Sequence, residues 1–312
     1  MVLSIVVPCY NEESNIDVFY EEICRISPEL PDDTSVELIF VNDGSKDNTL
    51  LKIRELTNKD ESVRYVSFTR NFGKESAMLA GFEAASGDYI CVMDADLQDP
   101  PSMIPEMYAL ICTGEYDRIA TRRVNRKGEP PVRSFFAHMF YRMINKLSDV
   151  RIVDGARDFS IMSRRMIDSI IDLKEKTRFT KGLLEWPGYR TKWLEFKNRE
   201  RNKGRSKWSF FKLFSYSIEG IVSFSNKPLI ISALLGVILC IISLVMVFVV
   251  ALRRIIFGDP VEGWASLVCI ILFVSGLQHL SIGIIGSYLA RLFIEIKGRP
   301  LYIIDEEKTE RK

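Results

Sequence analysis

Short apolar segments alternate with amphipathic segments through the first 120 residues of the chain. The apolar segments are rich in β-branched residues and predict strands at Leu3–Val7, Val36–Val41, Arg64–Phe68 and Tyr89–Met93. The segments between them predict helices at Glu12–Arg25, Asp47–Thr57 and Lys74–Ala85. Nearly continuous apolar strands are typical of parallel sheets covered on both faces, so the pattern predicts an open α/β sheet.

Two long stretches near the C-terminus contain no Asp, Glu, Lys or Arg, at residues 228–252 and 263–290. About 20 apolar residues in a helix cross a bilayer core, so we predict two transmembrane helices. Basic residues before the first stretch and after the second predict cytoplasmic termini, with Arg253 and Arg254 as a weaker opposite signal. The N-terminus opens on a strand-like segment without a basic region, so no signal peptide is expected.

Charge and cysteine content narrow the class of protein. The 42 basic and 41 acidic side chains give a formal charge of +1, and this balance does not favour a nucleic-acid partner. The six cysteines have neither a C-x-x-C pair nor metal-site spacing, so we expect reduced thiols in a cytosolic domain.

Polar residues follow three of the four predicted strands. They occupy Pro8–Glu12, Asn42–Ser45 and Asp94–Asp99. Because open α/β sheets bind ligands beyond the carboxyl ends of their strands, we expect one nucleotide site there. The chain lacks both the G-x-G-x-x-G of dinucleotide-binding proteins and the P-loop motif.

Asp94 and Asp96 can reach one point outside the sheet, because both directly follow a predicted buried strand. Two carboxylates with open positions suit Mg²⁺ or Mn²⁺, which share their ligand shell with phosphates and water. Such a metal would neutralise charge on a departing nucleoside diphosphate. The alternative is a pair of solvated loop acids.

Four segments together resemble inverting, GT-A-type glycosyltransferases of family 2: Val6–Glu13, Val41–Ser45, Asn71–Lys74 and Asp94–Pro101. The resemblance is strongest to the polyprenyl-phosphate branch, which includes dolichol-phosphate mannosyltransferase and bacterial bactoprenol glucosyltransferases. In the C-terminal half, Gly286–Arg291 and Arg299–Tyr302 also resemble the bacterial members. The implied fold is a GT-A, Rossmann-like, mostly parallel sheet domain.

The resemblance implies a nucleotide-sugar site. Pro8, Tyr10 and Glu12 would line the nucleoside pocket, and Asp43 would contact the base or ribose. Asp94 would lie near the diphosphate. Lys74 is a further candidate for a diphosphate contact, against the alternative of a solvated lysine at a helix start.

The resemblance also implies the metal ligands and the catalytic set. Asp96 and Gln98 would hold the metal, and Asp158 would be the base beside Asp94 and Asp96, although Arg157 stands where the family pattern commonly has Gly. A phosphate acceptor is already largely anionic, since its second pKa is about 6. Such an acceptor hardly needs deprotonating, so the alternatives to a base role are that Asp158 orients the acceptor or stabilises positive charge at the anomeric carbon.

Four cations are candidates for the lipid phosphate or the diphosphate. Arg122 and Arg123 follow a fifth candidate strand and could bind phosphate bidentately. Arg205 and Lys207 belong to a basic segment that could close over the diphosphate. The alternative for this segment is attraction to anionic lipid headgroups.

The predicted organisation has five parts. A cytoplasmic GT-A domain (residues 1–207) is followed by an interfacial amphipathic region (208–227), two spans (228–252 and 263–290) and a cytoplasmic tail (291–312). Residues 135–147 form either a core helix or a second interfacial helix. The tail from Asp305 is charged, and we expect it to be loose.

The predicted activity is transfer of a hexose from a nucleotide sugar to polyprenyl (undecaprenyl) phosphate with inversion, at the bacterial inner membrane and for a cell-envelope glycan. Thr177–Leu183 resembles the glucosyl branch, which favours UDP-glucose; UDP-N-acetylglucosamine or another sugar nucleotide is the alternative. A processive synthase is disfavoured, because the chain lacks Gln-x-x-Arg-Trp. A non-catalytic lipid-carrier translocation factor is the alternative from another class. The spans are compatible with a homo-oligomer.

Overall fold

The computed structural model describes residues 1–123, 153, 155–196, 225–257 and 263–309. The strands in these ranges are β1 (Val2–Cys9), β2 (Ser35–Asn42), β3 (Val63–Phe68), β4 (Tyr89–Val92), β5 (Arg118–Arg123), β6 (Ala156–Ser163), β7 (Thr191–Phe196) and β8 (Ile304–Lys308). The helices are α1 (Ile16–Ile26), α2 (Thr49–Lys59), α3 (Lys74–Ala84), α4 (Ile104–Cys112), α5 (Arg164–Asp172), α6 (Thr180–Leu183), α7 (Lys227–Phe257) and α8 (Trp264–Lys297).

The strands form one sheet in the order β7-β5-β6-β4-β1-β2-β3-β8. The centre is parallel, since β1 pairs with both β2 and β4, and β2 pairs with β3. The outer strands make the antiparallel pairs β4–β6, β5–β6 and β3–β8, while β5 and β7 are parallel. The mostly parallel α/β architecture predicted from the sequence is therefore confirmed, and its four central strands are the four predicted ones.

Helices cover both faces of the sheet. On one face, α1 and α4 contribute Phe19 and Tyr108 to a cluster around the buried Phe40 of β2. On the other face, α3 and α5 contribute residues such as Phe82 and Met166 to a second cluster. Apolar residues on both sides of the sheet make burial the main stabilising contribution to this fold.

Gly81 allows α3 to lie directly on the sheet. A Cβ atom at this position would be 2.1 Å from Cγ1 of Val6 in β1, closer than atoms can approach. The close packing fixes α3 against β1 and brings its first residue, Lys74, to the carboxyl edge of the sheet.

Most element ends lie within two residues of the sequence prediction, and the start of α1 and the C-terminal tail differ more. Helix α1 begins at Ile16 rather than Glu12, because the backbone N–H of Glu12 donates to Oγ1 of Thr49 (2.9 Å) and Asn15 closes a turn onto Glu12. The expectation of a loose tail from Asp305 was wrong, since β8 pairs with β3 and covers that edge of the sheet.

The C-terminal apolar stretches are helical in α7 and α8, which extend beyond the predicted limits. Within the described part of the chain, one helical segment is long and apolar enough to cross a membrane, Phe273–Lys297, and Lys227–Leu239 is a shorter apolar segment. The predicted interfacial region lies outside the described residues up to residue 224, as do residues 135–147.

Candidate active site

A cleft of about 330 Å³ opens at the carboxyl ends of β1, β2 and β4. It contains every residue that the sequence predicted for the nucleotide sugar, together with Asp96. The lining residues are Pro8, Cys9, Tyr10, Glu12, Asp43, Asn71, Gly73, Lys74, Ala77, Asp94, Ala95 and Asp96. Three strand ends and the start of α3 therefore meet at one site, as expected for the carboxyl edge of an α/β sheet.

Hydrogen bonds tie the loop after β1 to the loop after β2. The backbone N–H of Asn11 donates to Oγ of Ser45 (3.0 Å), and the backbone N–H of Lys46 donates to Oδ1 of Asn11 (2.8 Å). Asn11 has a φ of 55°, in the left-handed region that Asn tolerates better than most residues. The neighbouring Tyr10 remains 42% exposed at the cleft, so its ring is accessible to a ligand.

Asp43 organises the entrance to α3. Its carboxylate accepts hydrogen bonds from the backbone N–H groups of Phe72 (2.6 Å) and Gly73 (3.0 Å). Burial raises the pKa of Asp43 even though both N–H groups oppose the shift. Gly44, with a φ of +62°, has no room for a side chain, because a Cβ atom would be 2.3 Å from the backbone carbon of Arg70. The Asp-Gly pair thus holds two loops together.

Lys74 bridges two acids that are distant in sequence. Its Nζ lies 2.5 Å from Oδ1 of Asp94 and 2.5 Å from Oδ2 of Asp158. Burial lowers the pKa of Lys74, but the two carboxylates outweigh this effect and the net pKa is above its ordinary value. Burial raises the pKa of Asp158, yet Lys74 and Lys181 bring the net pKa below the usual range. Asp158 is therefore a carboxylate at neutral pH.

A residue of β6, Arg157, holds the loop after β4 in place. Arg157 donates from Nε to Oδ1 of the buried Asp99 (2.9 Å), and its guanidinium is 3.5 Å from Oε1 of Gln98. The backbone N–H of Gln98 donates to Oδ1 of Asp96 (3.1 Å). Leu97 between them has a φ of 54°, an uncommon conformation for a leucine and a form of local strain found at functional sites.

Of the four predicted phosphate-binding cations, Arg122 has a described side chain, and it does not line this cleft. Arg122 and Arg123 lie inside β5 rather than after it, and the Arg122 guanidinium pairs with Glu195 of β7. Arg205 and Lys207 lie outside the described residues.

Sequence reasoning missed the role of three charged residues near Asp158, namely Arg157, Glu75 and Lys181. Arg157 attracted notice only as a departure from the family pattern. Glu75 accepts hydrogen bonds from the backbone N–H (3.0 Å) and the hydroxyl of Thr180, which positions α6 and its Lys181. Because Thr180 is far from Glu75 along the chain, no local pattern could have indicated this contact.

The acidic residues at the cleft fit a divalent metal that is shared with a ligand. In the described residues, no group of three His, Cys, Asp or Glu side chains could hold a metal alone. Asp96 and Gln98 supply hard oxygen donors beside a polar cleft. Mg²⁺ commonly takes one or two carboxylates and completes its shell with phosphate oxygens and water, which is the donor set available here.

Comparisons with known proteins identify the family of the chain. Residues 4–171 match the family model described as "Glycosyl transferase family 2". A protein of Shigella phage SfV named "Bactoprenol glucosyl transferase" is 40% identical over 310 residues, covering 99% of this chain and 100% of its own. A protein of Synechocystis sp. named "Uncharacterized glycosyltransferase" is 40% identical over 304 residues, covering 97% and 95%.

Among solved structures, glucosyl-3-phosphoglycerate synthase from Mycobacterium tuberculosis, in complex with Mn²⁺, UDP-glucose and phosphoglyceric acid, has a TM-score of 0.46 and 22% identity. The alignment covers 71% of this chain and 77% of that one. The family match covers more than half of the chain, and the chain therefore belongs to glycosyl transferase family 2. It is an enzyme of the glycosyltransferase class.

Proposed function

We propose that the protein transfers a hexose, with UDP-glucose as the donor, to polyprenyl phosphate, giving a β-linked lipid-phosphate sugar. The observation that carries this proposal is the cleft that Lys74 and Asp94 line together with the nucleotide-facing residues, with Asp158 joined to it through Lys74. Similarity at 40% identity over nearly the whole chain to a protein named bactoprenol glucosyl transferase supports the choice of acceptor and sugar.

The nucleoside would occupy the end of the cleft formed by the loops after β1 and β2. The exposed ring of Tyr10 offers a surface on which a base can stack. Pro8 and Glu12 line the same part of the cleft. Asp43 already accepts two backbone hydrogen bonds, so we propose that it contacts the base or ribose through its remaining acceptor capacity while it holds the loop.

Lys74 would contact the diphosphate. In the described structure its ammonium group is shared by Asp94 and Asp158, and it lines the donor cleft. A bound diphosphate brings further anionic oxygens to the same ammonium group. Lys74 can then stabilise charge on the departing nucleoside diphosphate, and electrostatic stabilisation of this kind is commonly the largest contribution to catalysis.

The reaction is a direct displacement. A phosphate oxygen of the acceptor attacks the anomeric carbon, the bond from that carbon to the diphosphate breaks, and its electron pair leaves with the nucleoside diphosphate. Asp158 remains ionised, because Lys74 and Lys181 keep its pKa low. A carboxylate with a low pKa is a weak base, and the acceptor phosphate is already anionic, so Asp158 suits orientation of the acceptor and stabilisation of positive charge at the anomeric carbon better than removal of a proton.

A divalent metal, Mg²⁺ or Mn²⁺, would supply charge neutralisation at the diphosphate when bound. Asp96 and Gln98 would hold it, with Asp94 beside the diphosphate. Arg157 orients the Gln98 side chain, and the backbone N–H of Gln98 orients the Asp96 carboxylate.

We further propose that α7 and α8 cross the bacterial inner membrane with the catalytic domain on the cytoplasmic side. Large apolar side chains on both helices face outwards, among them Phe248 and Phe273, each 69% exposed. Extended apolar surfaces of this size are unfavourable in water and favourable in lipid. This anchoring would keep the site near the phosphate of a membrane-embedded acceptor.

The test is transfer of radiolabel from a panel of UDP- and GDP-sugars to undecaprenyl phosphate by the purified full-length protein, with Mg²⁺, Mn²⁺ or EDTA. We expect labelled lipid from UDP-glucose in the presence of metal, and none in EDTA. Asp96→Asn should reduce the rate by about 10³-fold or more, because it removes a charged metal ligand.

Asp172→Asn is the matched control, since Asp172 is an exposed acid at the end of α5, away from the cleft. It should transfer sugar at the wild-type rate. Absence of transfer from every donor by folded protein would overturn the proposed activity. Equal rates for Asp96→Asn and wild type would exclude Asp96 as a metal ligand.

A further inference from the structure

A second, much smaller cavity lies on the far side of the Lys74–Asp158 pair from the donor cleft. Asp158 lines this cavity but not the cleft, whereas Asp94 lines the cleft but not the cavity. Its volume is about 10 Å³, enough for one water molecule. Asp158 therefore separates two spaces, of which only the larger can hold a nucleotide sugar.

The floor of this cavity is a buried ion pair. Arg118 of β5 is 2% exposed, and its guanidinium lies 2.8 Å from Glu185. The Arg118 Nε atom is buried, and no hydrogen-bond partner is found for it among the described residues. This buried donor, without a partner in the described part of the chain, lies beside a space large enough for one water molecule. The Arg118–Glu185 pair itself is neutral overall.

Two further cations line the cavity next to Asp158, and they differ in how they are paired. Arg157 is committed to Asp99 and Gln98. Lys181 makes no ion pair with a carboxylate within 4.0 Å in the described part of the chain, and its Nζ donates to the backbone oxygen of Ala156 (3.1 Å). Lys181 thus acts on Asp158 through its charge, without a direct carboxylate contact among the described residues.

Lys181 is held in place from the donor side. Thr180, the residue before it, donates twice to Glu75, which follows Lys74 in α3. The segment that carries Lys181 is therefore fixed to the helix that carries Lys74. One lysine faces the donor cleft and the other faces the second cavity, with Asp158 between them.

We propose that Lys181 binds the phosphate monoester of the acceptor, at the mouth of the second cavity, with Arg157 as the adjoining cation. The inference rests on the proposed transfer to a lipid phosphate and names a contact that serves it. The cavity is too small to enclose a phosphate group, so the phosphate lies against Lys181 at its mouth and not inside. An ammonium group has three donors, of which one bonds to Ala156 in the described part of the chain, and it is a suitable partner for a dianionic phosphate.

Binding of undecaprenyl phosphate to the full-length protein in nanodiscs, without donor, tests this contact directly. Lys181→Met should weaken binding by about tenfold, the loss expected for one charge-assisted contact. Lys181→Arg should restore most of the affinity. Lys174→Met is the matched control, because Lys174 is an exposed lysine two residues after the end of α5 that does not line the cavity. It should bind like wild type.

Steady-state kinetics separate this inference from the proposed function. Lys181→Met should raise the KM for undecaprenyl phosphate by about tenfold and change the KM for the nucleotide sugar by less than about twofold. Inorganic phosphate should inhibit the wild type more strongly than Lys181→Met if the headgroup alone is recognised, and both weakly if the lipid chain is also needed. In either case the KM for undecaprenyl phosphate decides whether Lys181 contacts the acceptor.

Two outcomes would overturn the inference: unchanged lipid binding in folded Lys181→Met, or an equal rise in the KM values for donor and acceptor. A wild-type protein that binds the lipid through Lys181 but transfers no sugar would instead overturn the proposed function. Melting temperatures of the variants, measured in the same nanodiscs, distinguish loss of the contact from loss of the fold.

Discussion

The carboxyl edge of the central strands and the outer parts of the sheet are built in different ways. At the carboxyl edge, each functional loop follows its strand directly in sequence, as Asp94 follows β4. The outer strands come from distant segments, and β8 joins β3 with Lys308 opposite Tyr65. The residues of the donor cleft are thus close in sequence to the strands that position them, whereas the outer strands are held by contacts between distant segments of the chain. Substitutions in the donor cleft and substitutions in the outer strands should therefore have different effects on activity and stability.

The largest effect is expected at Lys74. Lys74→Met leaves the carboxylates of Asp94 and Asp158 without their shared cation, and removes a charge that would face the leaving group. We expect kcat to fall by about 10³-fold, and the melting temperature to fall as well, because the two carboxylates lose their shared cation. Steady-state assays and thermal unfolding check both parts.

Lys52→Met provides a matched control for Lys74→Met. Lys52 also lies 2.5 Å from a carboxylate, that of Asp17, but this pair is on α1 and α2, outside the cleft. The control should keep the wild-type rate. A rate for Lys74→Met within tenfold of wild type would show that Lys74 has only a structural role.

The second prediction concerns the link between the donor cleft and β6. Arg157→Gln leaves the buried Asp99 without its ion-pair partner, and breaking a buried pair costs about 3 kcal/mol. Burial already raises the pKa of Asp99, and without Arg157 that pKa rises further. Stability of the variant should therefore fall most at high pH, where Asp99 must remain ionised without compensation. Chemical denaturation at pH 6 and pH 8 measures this.

Replacing both Arg157 and Asp99 separates the effect of the ion pair on stability from the effect of side-chain packing. Asp99→Asn in the Arg157→Gln background removes the uncompensated charge and should recover more than half of the lost stability. Equal stability of Arg157→Gln and wild type would contradict the pairing argument. If Arg157→Gln loses metal affinity and the added Asp99→Asn does not restore it, the contact of Arg157 with Gln98, rather than its ion pair with Asp99, would be the one that supports metal binding.

The third prediction concerns the return of the chain to the sheet after α8. The ring of Tyr302 stacks on Phe68 with centroids 4.8 Å apart, and its hydroxyl bonds to Glu83. Tyr302→Ala should lower the free energy of unfolding by about 2 kcal/mol, through lost ring packing and one hydrogen bond. In protein that remains folded, transfer should stay within about threefold of wild type.

Tyr302→Phe retains the ring and isolates the hydroxyl, with an expected loss of about 1 kcal/mol. Both values come from denaturant unfolding of detergent-solubilised protein. If Tyr302→Ala instead abolished transfer in stable protein, the segment before β8 would belong to the active site, and the contrast between the two regions would not hold.

The contrast also explains which features could be predicted from the sequence. The four central strands were predictable because each is a continuous apolar segment, and the cleft residues because they follow those strands. The strand β8 was not, since Ile304–Lys308 has four charged residues out of five and no apolar pattern. Its pairing relies on backbone hydrogen bonds to β3 and on the Arg54–Glu306 ion pair.

The cations around Asp158 show the same limit. Arg157 precedes Asp158 in sequence, but its partner Asp99 lies in the loop after β4, and the pairing of β4 with β6 brings the two together. Lys181 reaches the site through the contact of Thr180 with Glu75. Charge and spacing in the sequence could not indicate these neighbours, because sheet order determines them.

The smallest expected effect is at Glu75, which joins the two regions. Burial, followed by repulsion from Asp158, raises the pKa of Glu75 to about 7 from an ordinary value of 4.5. Between these pH values the folded state binds more protons than the unfolded chain. The contribution of Glu75 to stability therefore falls as pH rises through this window.

Glu75→Gln removes this titration, while its amide oxygen can still accept the hydrogen bonds from Thr180. Relative to wild type, the variant should gain about 2–4 °C in melting temperature between pH 5 and pH 8, the range that about 1 kcal/mol produces in a domain of this size. A pH-independent difference between Glu75→Gln and wild type would mean that Glu75 is ionised throughout, held so by Lys74 and Arg178. The cations near Asp158 would then act on Glu75 of α3 as well, and not on Asp158 alone.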